Sequence, residues 1–352
     1  MRIKSHSKKK RVMMRPRRTL PKSRRREQAL CLFSSFSPLT PTEYSMTKQK
    51  TDIRQHVTNQ IIELLETVSI EDYQPPFANL ATQGIPENPT TGNQYQGINI
   101  LSLWFNQQSK GFSSNEWATF NQWKTAGANV RKGEKGSRII FYKTLTASEK
   151  DENGNEQERK IPMLKAYTVF NANQVDNYNY TEGSLPSQLN KVVRIHLADE
   201  FCKYTGADIR TTDENRAYYD TERDIIHMPD QSRFLDTKHA DATEHYYATK
   251  FHELIHWTGP EYRTNRETLH SVSDIGAYAQ EELVAELGAA FLCAQYGITQ
   301  TQPEHHAIYI KSWLKALKND KAYIFKAAAE AMKSVDYLNE LNTQRHSYES
   351  ML

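Results

Sequence analysis

Residues 246–263 of the chain read YYATKFHELIHWTGPEYR and contain two histidines, His252 and His256, four positions apart. On an α-helix such positions share one face, so both imidazoles can reach one metal ion while the backbone stays regular. Glu253 follows the first histidine, where its carboxylate can take a proton from a water at that ion. The stretch therefore predicts a metal-binding helix that ends near Gly259, with Glu253 as general base.

Three carboxylates on the next predicted helix offer the third protein ligand that a hydrolytic zinc ion needs. The segment 278–288 reads YAQEELVAELG and holds Glu281, Glu282 and Glu286. An acidic cluster on an apolar, alanine-rich helix is costly to bury unless a cation compensates it. We predict Glu282 as the ligand and Glu286, one turn further on, as a support that orients a ligand histidine. Glu281 is the alternative ligand, because the assignment could slip by one residue.

Other interpretations of these segments remain open. A three-histidine site would use His270 in place of a glutamate, although the close spacing and glycine turn typical of such sites are missing. Alternatively, the acidic helix is an ordinary amphipathic helix with a solvated face. A peptidase would also need a hydrogen-bond donor for an oxyanion. Tyr262, Arg263 and Tyr278 lie nearby in the sequence, which does not choose among them.

Composition excludes several classes of protein. The chain has 352 residues, of which 25% are charged and 11% aromatic, as is ordinary for a globular protein. It contains no run of about 18 apolar residues, so we expect no membrane-spanning helix. Its three cysteines lack the CxxC spacing, which argues against a disulfide framework and a thiolate zinc site and fits a reducing compartment.

The first 45 residues differ in charge from the rest of the chain. Residues 1–45 carry thirteen lysines or arginines and two acids, a net charge of +11, whereas residues 46–352 have a net charge of −8. Like charges repel, so we expect a disordered tail. A nucleic-acid-binding arm, a weak secretion signal and a non-native extension before Met46 are the competing interpretations. DNA contact by the acidic body would need a local basic patch.

Aromatic and basic residues between positions 95 and 138 suggest such a patch. Exposed aromatic rings stack on unpaired bases, while cations follow the phosphates. The candidate DNA-binding residues are Tyr95, Trp104, Trp117, Arg131, Lys132, Lys135 and Arg138. The competing interpretation places the aromatic side chains in the core and the basic run RKGEKG in a solvated turn.

Hydrophobic periodicity divides the chain into an α+β first domain with a small sheet and a mainly helical second domain. The first-domain predictions are helices at 50–68 and 115–126, strands at 138–143 and 162–171, and a hairpin tip or loop at 149–160. The second-domain predictions are helices at 192–205, 241–258, 276–296, 304–318 and 320–340, and strands at 218–220 and 224–228. The predicted bounds are a tail at 1–45, domains at 46–176 and 191–300, a linker at 177–190, and a C-terminal helical extension at 301–352.

Several segments in order resemble ArdC-type antirestriction proteins of conjugative plasmids and other mobile elements. They include YQGINILSLW, GANVRKGEKG, YTVFNANQ, HELIHWTG and YAQEELVAELGAAFL, within residues 50–300. The N-terminal domain of that family is related to the N-terminal part of TraC-type plasmid primases. The segment GPEYRTNR departs from the family, whose members more often have leucine after the first arginine.

The resemblance implies a fold and a function. The expected fold is a small mixed α/β domain that binds single-stranded DNA, followed by a mainly helical zincin-like metallopeptidase domain. The expected function is protection of incoming DNA from host restriction, in the cytoplasm of a bacterial host cell. The resemblance places Zn²⁺ on His252, His256 and a glutamate of EELVAE, with Glu253 as base.

Two hypotheses about function follow. In the first, the protein is a zinc metallopeptidase that cuts a host restriction protein or another DNA-bound protein. In the second, it coats DNA or blocks a restriction enzyme without catalysis, and its zinc site is structural or vestigial. The intact Glu253 favours the first hypothesis, because a purely structural metal site does not need a general base.

Overall fold

The structure is a computed structural model that describes residues 52–66, 77–150, 156–270, 275–300 and 307–349. The predicted basic tail at 1–45 lies outside these residues. The helices are α1 (Ile53–Glu66), α2 (Ala78–Ala81), α3 (Ile98–Lys110), α4 (Phe120–Thr125), α5 (Leu185–Gln188), α6 (Lys191–Thr205), α7 (Ala242–Trp257), α8 (Glu267–His270), α9 (Ile275–Tyr296), α10 (Ala307–Asn319) and α11 (Tyr323–Glu349). The strands are β1 (Glu87–Asn88), β2 (Asn93–Gln94), β3 (Trp117–Thr119), β4 (Asn129–Val130), β5 (Ser137–Lys150), β6 (Glu156–Asn171), β7 (Val175–Asp176), β8 (Asp208–Thr212), β9 (Tyr218–Asp220) and β10 (Ile225–Pro229). The mixture of helix and sheet confirms the α+β class.

The N-terminal half is built around an antiparallel sheet in the order β3-β6-β5. The long β5–β6 pair keeps one register throughout, with Ser137 opposite Val169 and Lys150 opposite Glu156. Helix α3 lies along β5, and the side-chain amide of Asn99 both donates to and accepts from the backbone of Ile140, as a neighbouring strand would. The strand predictions at 138–143 and 162–171 are confirmed, and both strands are longer than predicted.

The helix predicted at 115–126 is wrong in its first half. Strand β3 occupies Trp117–Thr119, and only α4 is helical. The strand forms because it pairs with β6, which lies far along the chain. Thr119 then begins α4 with a capping box, in which its hydroxyl accepts from the Gln122 backbone N–H and the Gln122 side chain accepts from the Thr119 N–H. The pairing partner of β3 is not visible in local periodicity.

The C-terminal half places helix α7 between a small sheet and helix α9. In this sheet β10 lies between β8, to which it is parallel, and β9, to which it is antiparallel. Helix α7 packs on α9, and the two come unusually close at Gly288, where an added Cβ would lie 2.6 Å from the Ile255 side chain. Side chains of α9 are buried around almost its whole circumference, so its glutamates face the protein interior.

One hydrophobic core crosses the predicted domain boundary. Trp104 of α3 is fully buried and packs on Phe291 of α9 at a centroid distance of 5.8 Å. Helices α10 and α11 join the same core through Trp313 and Leu338. This single core therefore joins α3, α9, α10 and α11 with α7, the helix that carries the two histidines.

Among the described residues, no helix combines the length and apolar character needed to cross a membrane.

Candidate metal centre

Helix α7 carries both histidines on a buried stretch. Asp241 begins the helix, and its carboxylate accepts hydrogen bonds from the backbone N–H groups of Thr243 and Glu244. Every residue from Tyr247 to Trp257 is buried. The helix ends at Trp257, and the next residue, Thr258, caps it with a hydroxyl that donates to the Ile255 carbonyl. The structure therefore confirms that the motif lies on a helix.

Three side chains converge at one point. The Nε2 atoms of His252 and His256 lie 3.1 Å apart. The two carboxylate oxygens of Glu282 lie 3.6 Å from His252 Nε2 and 3.8 Å from His256 Nε2. A tetrahedral ion with bonds of about 2.0–2.1 Å would place its ligand atoms about 3.4 Å apart. The donor set therefore fits a divalent metal ion, and these are the predicted ligands.

Glu281 supports His256 and does not join the converging donors. The Nδ1 atom of His256 donates to Oε1 of Glu281 over 3.1 Å. This bond leaves Nε2 as the ring atom that faces the site, as in other metal centres where a carboxylate orients a ligand histidine. The geometry therefore favours Glu282 over Glu281 as the third ligand.

Arg266 holds Glu281 in place. Its guanidinium is fully buried, and Nη2 and Nε donate to the Glu281 carboxylate over 2.6 and 3.1 Å. The same side chain donates to the Ile255 carbonyl at the end of α7 and to the Ser334 hydroxyl of α11. Burial alone would raise the pKa of Glu281, but the bond from His256 and the Arg266 charge outweigh it and lower this pKa. We call Arg266, Glu281 and His256 the buried triad.

Glu286 lies behind the other histidine. Its Oε1 is 3.7 Å from Nδ1 of His252, and its side chain is fully buried. Gln300 donates to Glu286 Oε2 over 3.2 Å and also to the Glu286 carbonyl. A carboxylate therefore lies behind His252, and the supporting role of Glu286 stays a prediction. Each histidine thus has a separate carboxylate on the side away from the converging donors.

His256 gives the metal-free site a pH dependence. Burial alone would lower its pKa, but the bond to Glu281 and the charges of Glu282 and Glu253 outweigh burial and raise it to about 9. The unfolded value is about 6.5. The charged imidazolium therefore stabilises the metal-free fold fully below pH 6.5, and this contribution is lost as the pH rises through 9. We expect the melting temperature of chelator-treated protein to fall across this range.

The control for this pH profile is Glu281→Gln, which removes the charge of the carboxylate that accepts the hydrogen bond from His256. Its melting temperature should depend much less on pH between 6.5 and 9. A melting temperature of the chelated wild type that rises or stays level across this range would contradict the expected effect.

The site opens into a cavity of about 770 Å³. Glu253 and His252 line it, as do Tyr278 and Tyr309. The Tyr278 hydroxyl hydrogen-bonds to Glu282 and Tyr309, and burial followed by the Glu282 charge raises the pKa of Tyr278. Of the three predicted oxyanion donors, Tyr278 is the one in the cavity. A carboxylate and a hydroxyl donor therefore line the same cavity as the converging donors.

The other two predicted donors point elsewhere. Tyr262 is exposed and does not line the cavity. Arg263 forms a two-point ion pair with Asp224 and stacks over the Trp257 ring, 3.6 Å from its centroid. His270 ends α8, and its side chain lies outside the described part, so the three-histidine alternative stays a prediction.

The predicted DNA-binding residues do not form one surface. Trp104 and Trp117 are fully buried, so their predicted role in base stacking is corrected: both rings complete the hydrophobic cores. Tyr95 is partly buried, and its hydroxyl donates to the Trp117 carbonyl. Arg131 is bound to the Asn173 and Val175 carbonyls and to Glu134. Four of the predicted side chains are exposed: Lys132, Lys135, Arg138 and, despite its contacts, Arg131.

Two family models match consecutive parts of the chain. The model described as the N-terminal domain of anti-restriction factor ArdC matches residues 51–170. The model described as a zincin-like metallopeptidase matches residues 196–330. The second match contains both histidines, Glu253 and the glutamates of α9.

Related proteins cover most of the chain. An uncharacterized protein of Sinorhizobium fredii, y4eC, is 36% identical over 294 residues, which cover 82% of this chain and 92% of y4eC. Two Escherichia coli proteins named DNA primase TraC are 34% and 32% identical over 83% and 87% of this chain. The chain spans only 27% and 21% of the length of these two primases. The similarity to TraC thus concerns a minor part of those proteins.

Solved structures of a plasmid protein show the same fold. The antirestriction ArdC protein from plasmid R388, in its metal-free crystal structure, is 40% identical and superposes with a TM-score of 0.66. Its Mn(II)-bound structure superposes with a TM-score of 0.65. Each comparison covers 83% of this chain and 98% of the plasmid protein. The chain therefore belongs to the ArdC family of antirestriction proteins.

Proposed function

We propose that this protein protects the incoming DNA of a mobile element from host restriction, binds single-stranded DNA and cleaves a DNA-bound protein at a zinc site. The observation that carries the peptidase part is the convergence of His252, His256 and Glu282, with Glu253 beside them in a cavity. The antirestriction part rests on the similarity to the ArdC protein of plasmid R388.

Zinc suits this donor set. Two imidazole nitrogens and one carboxylate oxygen form the ligand set of many hydrolytic zinc sites, which keep a fourth position open. The cavity is lined by all three of these side chains and by Glu253, so a water molecule would have access to a bound ion. The related plasmid protein was crystallised with Mn(II), so a divalent ion is accepted by that fold. When bound, the ion supplies a Lewis acid that makes water a better nucleophile and polarises a carbonyl.

The protein side chains then move the protons. Glu253 accepts the proton of the attacking water on its carboxylate and passes it to the leaving amine. Tyr278 donates its hydroxyl proton in a hydrogen bond to the carbonyl oxygen as negative charge develops there. Strand β9 is an outer strand of its sheet beside the cavity, so an extended peptide can pair with its backbone.

The ligand and supporting roles predict different metal affinities. Glu282→Ala removes one of three ligands, so we expect loss of stoichiometric zinc. Glu286→Gln removes only the charge behind His252, for which we expect about 10–100-fold weaker zinc binding. Zinc content after dialysis and competition with a chromophoric chelator measure both. Equal losses in the two variants would contradict the assignment of Glu282 as ligand.

Cleavage itself tests the peptidase part. Zinc-loaded protein, single-stranded DNA and a host restriction endonuclease should together yield fragments of the endonuclease, and chelator-treated protein should yield none. A fully zinc-loaded protein that protects DNA without producing fragments would contradict the peptidase and favour the second function, a non-enzymatic coat or block. The exposed cations Lys132, Lys135 and Arg138 favour that second function equally well, because binding DNA needs no catalysis.

A further inference from the structure

The paired strands β5 and β6 carry two large aromatic side chains outside the hydrophobic cores. Phe141 is 53% exposed and Tyr167 is 42% exposed. Their ring centroids lie 6.4 Å apart with the planes at 80°. The register pairs Phe141 with Lys165 and Ile139 with Tyr167, so these four residues share one face of the strands. We call Phe141, Tyr167 and Lys165 the aromatic face.

The aromatic face begins where the core ends. On the same face, Val169 is fully buried and packs with Leu103 and Trp117, with Ile139 partly covered beside them. Beyond Ile139 the strands continue past helix α3, and the rings of Phe141 and Tyr167 project into solvent. Their exposure is therefore not a consequence of core packing, and parts of both rings are open to a ligand.

The sequence that leads into the aromatic face is strongly positive. Residues 124–143 hold six lysines or arginines and one acid, a net charge of +5, although residues 46–352 together have a net charge of −8. The acid, Glu134, is bound to Arg131 and Gln174. Lys165 lies directly opposite Phe141. At the inner end of the face, the Lys110 ammonium donates to the Ser137 hydroxyl.

We propose that Phe141 and Tyr167 stack on unpaired bases of single-stranded DNA while Lys165 and its neighbouring cations contact the phosphates. Each base has a π-face, so such stacking tolerates any sequence. An apolar peptide would match the rings but not the charge. The inference rests on the proposed binding of single-stranded DNA and assigns it to residues other than the buried tryptophans.

The double variant Phe141→Ala/Tyr167→Ala tests the stacking in the full-length protein. Each stacked ring contributes a factor of about 5 to 150 in affinity, so we expect labelled oligo-dT to bind at least about 25-fold more weakly. Melting temperature checks the fold, and Phe141→Tyr/Tyr167→Phe keeps both rings and should keep the affinity. Phe120→Ala is the matched control. Its ring is 52% exposed but lies against Phe170, whose position on β6 is on the opposite face.

Salt dependence separates stacking from phosphate contact. The ring variant should keep the slope of log affinity against log salt concentration, whereas Lys165→Ala should reduce its magnitude by about 0.7. If the wild type fails to bind oligo-dT, the proposed DNA binding is wrong as well. If the wild type binds and the ring variant binds equally well, only the assignment of DNA binding to the aromatic face is wrong. We would then assign this face to a protein partner. If the ring variant lost affinity for duplex DNA to the same extent as for oligo-dT, the stacking proposal would also be overturned, because the bases of a duplex are already stacked.

Discussion

Glu253→Gln is expected to lower the rate of peptide cleavage by about 10²–10⁴-fold while leaving the zinc content unchanged. The amide keeps the size of the side chain but cannot accept the proton of the attacking water. His252, His256 and Glu282 converge without any contribution from Glu253, so the metal should bind as before. Single-turnover cleavage of the substrate protein, with zinc content determined on the same sample, measures both quantities.

Glu261→Gln is the matched control for this variant. Glu261 is an exposed glutamate in the loop after α7, and it does not line the cavity. The same chemical change there should alter neither cleavage nor zinc content. A Glu253→Gln protein that cleaves at more than a tenth of the wild-type rate would contradict the role of this carboxylate as base.

Protection of DNA in cells decides between the two proposed functions. If hydrolysis is the means of protection, Glu253→Gln should fail to protect incoming DNA although it still binds single strands. If the variant protects as well as the wild type, protection is non-enzymatic. The ring variant Phe141→Ala/Tyr167→Ala gives the converse result, since it should retain hydrolysis of a DNA-free substrate and lose protection that depends on DNA binding.

Local sequence periodicity was sufficient for most of this fold and for part of the site. His252 and His256 could be placed together because positions i and i+4 share a helix face whatever the tertiary structure. Glu282 was signalled by an energetic conflict, acids on an otherwise apolar helix, which a bound cation resolves. Both signals are carried by a few consecutive residues, so no knowledge of distant contacts was needed.

The rest depended on contacts between distant segments. Trp104 and Trp117 were candidates for base stacking because residue type alone does not distinguish a buried ring from an exposed one. Strand β3 exists because it pairs with β6, although the capping box of Thr119 and Gln122 was a local signal that a helix begins only there. Nothing near Arg266 in the sequence indicates that it meets Glu281 and α11 in the interior.

Arg266→Met should produce the largest loss of stability. Methionine fills a similar volume, but Glu281 would be left as a buried carboxylate with the His256 ring and the Thr268 hydroxyl as its remaining partners, which costs about 3–5 kcal/mol. The variant also loses the hydrogen bonds that Arg266 donates to the Ile255 carbonyl at the end of α7 and to the Ser334 hydroxyl. Urea unfolding of chelator-treated protein measures the free energy of unfolding. Arg210→Met, which breaks the exposed pair with Asp208, should leave this free energy unchanged within error.

The double variant Arg266→Met/Glu281→Leu separates stability from metal binding. Replacing both members of a buried ion pair by apolar side chains of similar size is often neutral, so most of the lost stability should return. Zinc affinity should nevertheless remain about 10–100-fold below that of the wild type, because Nδ1 of His256 has lost the acceptor that fixes the ring. Recovery of both properties together would show that the buried triad only holds the fold. Recovery of stability alone would show that Glu281 and Arg266 set the orientation of His256 at the metal.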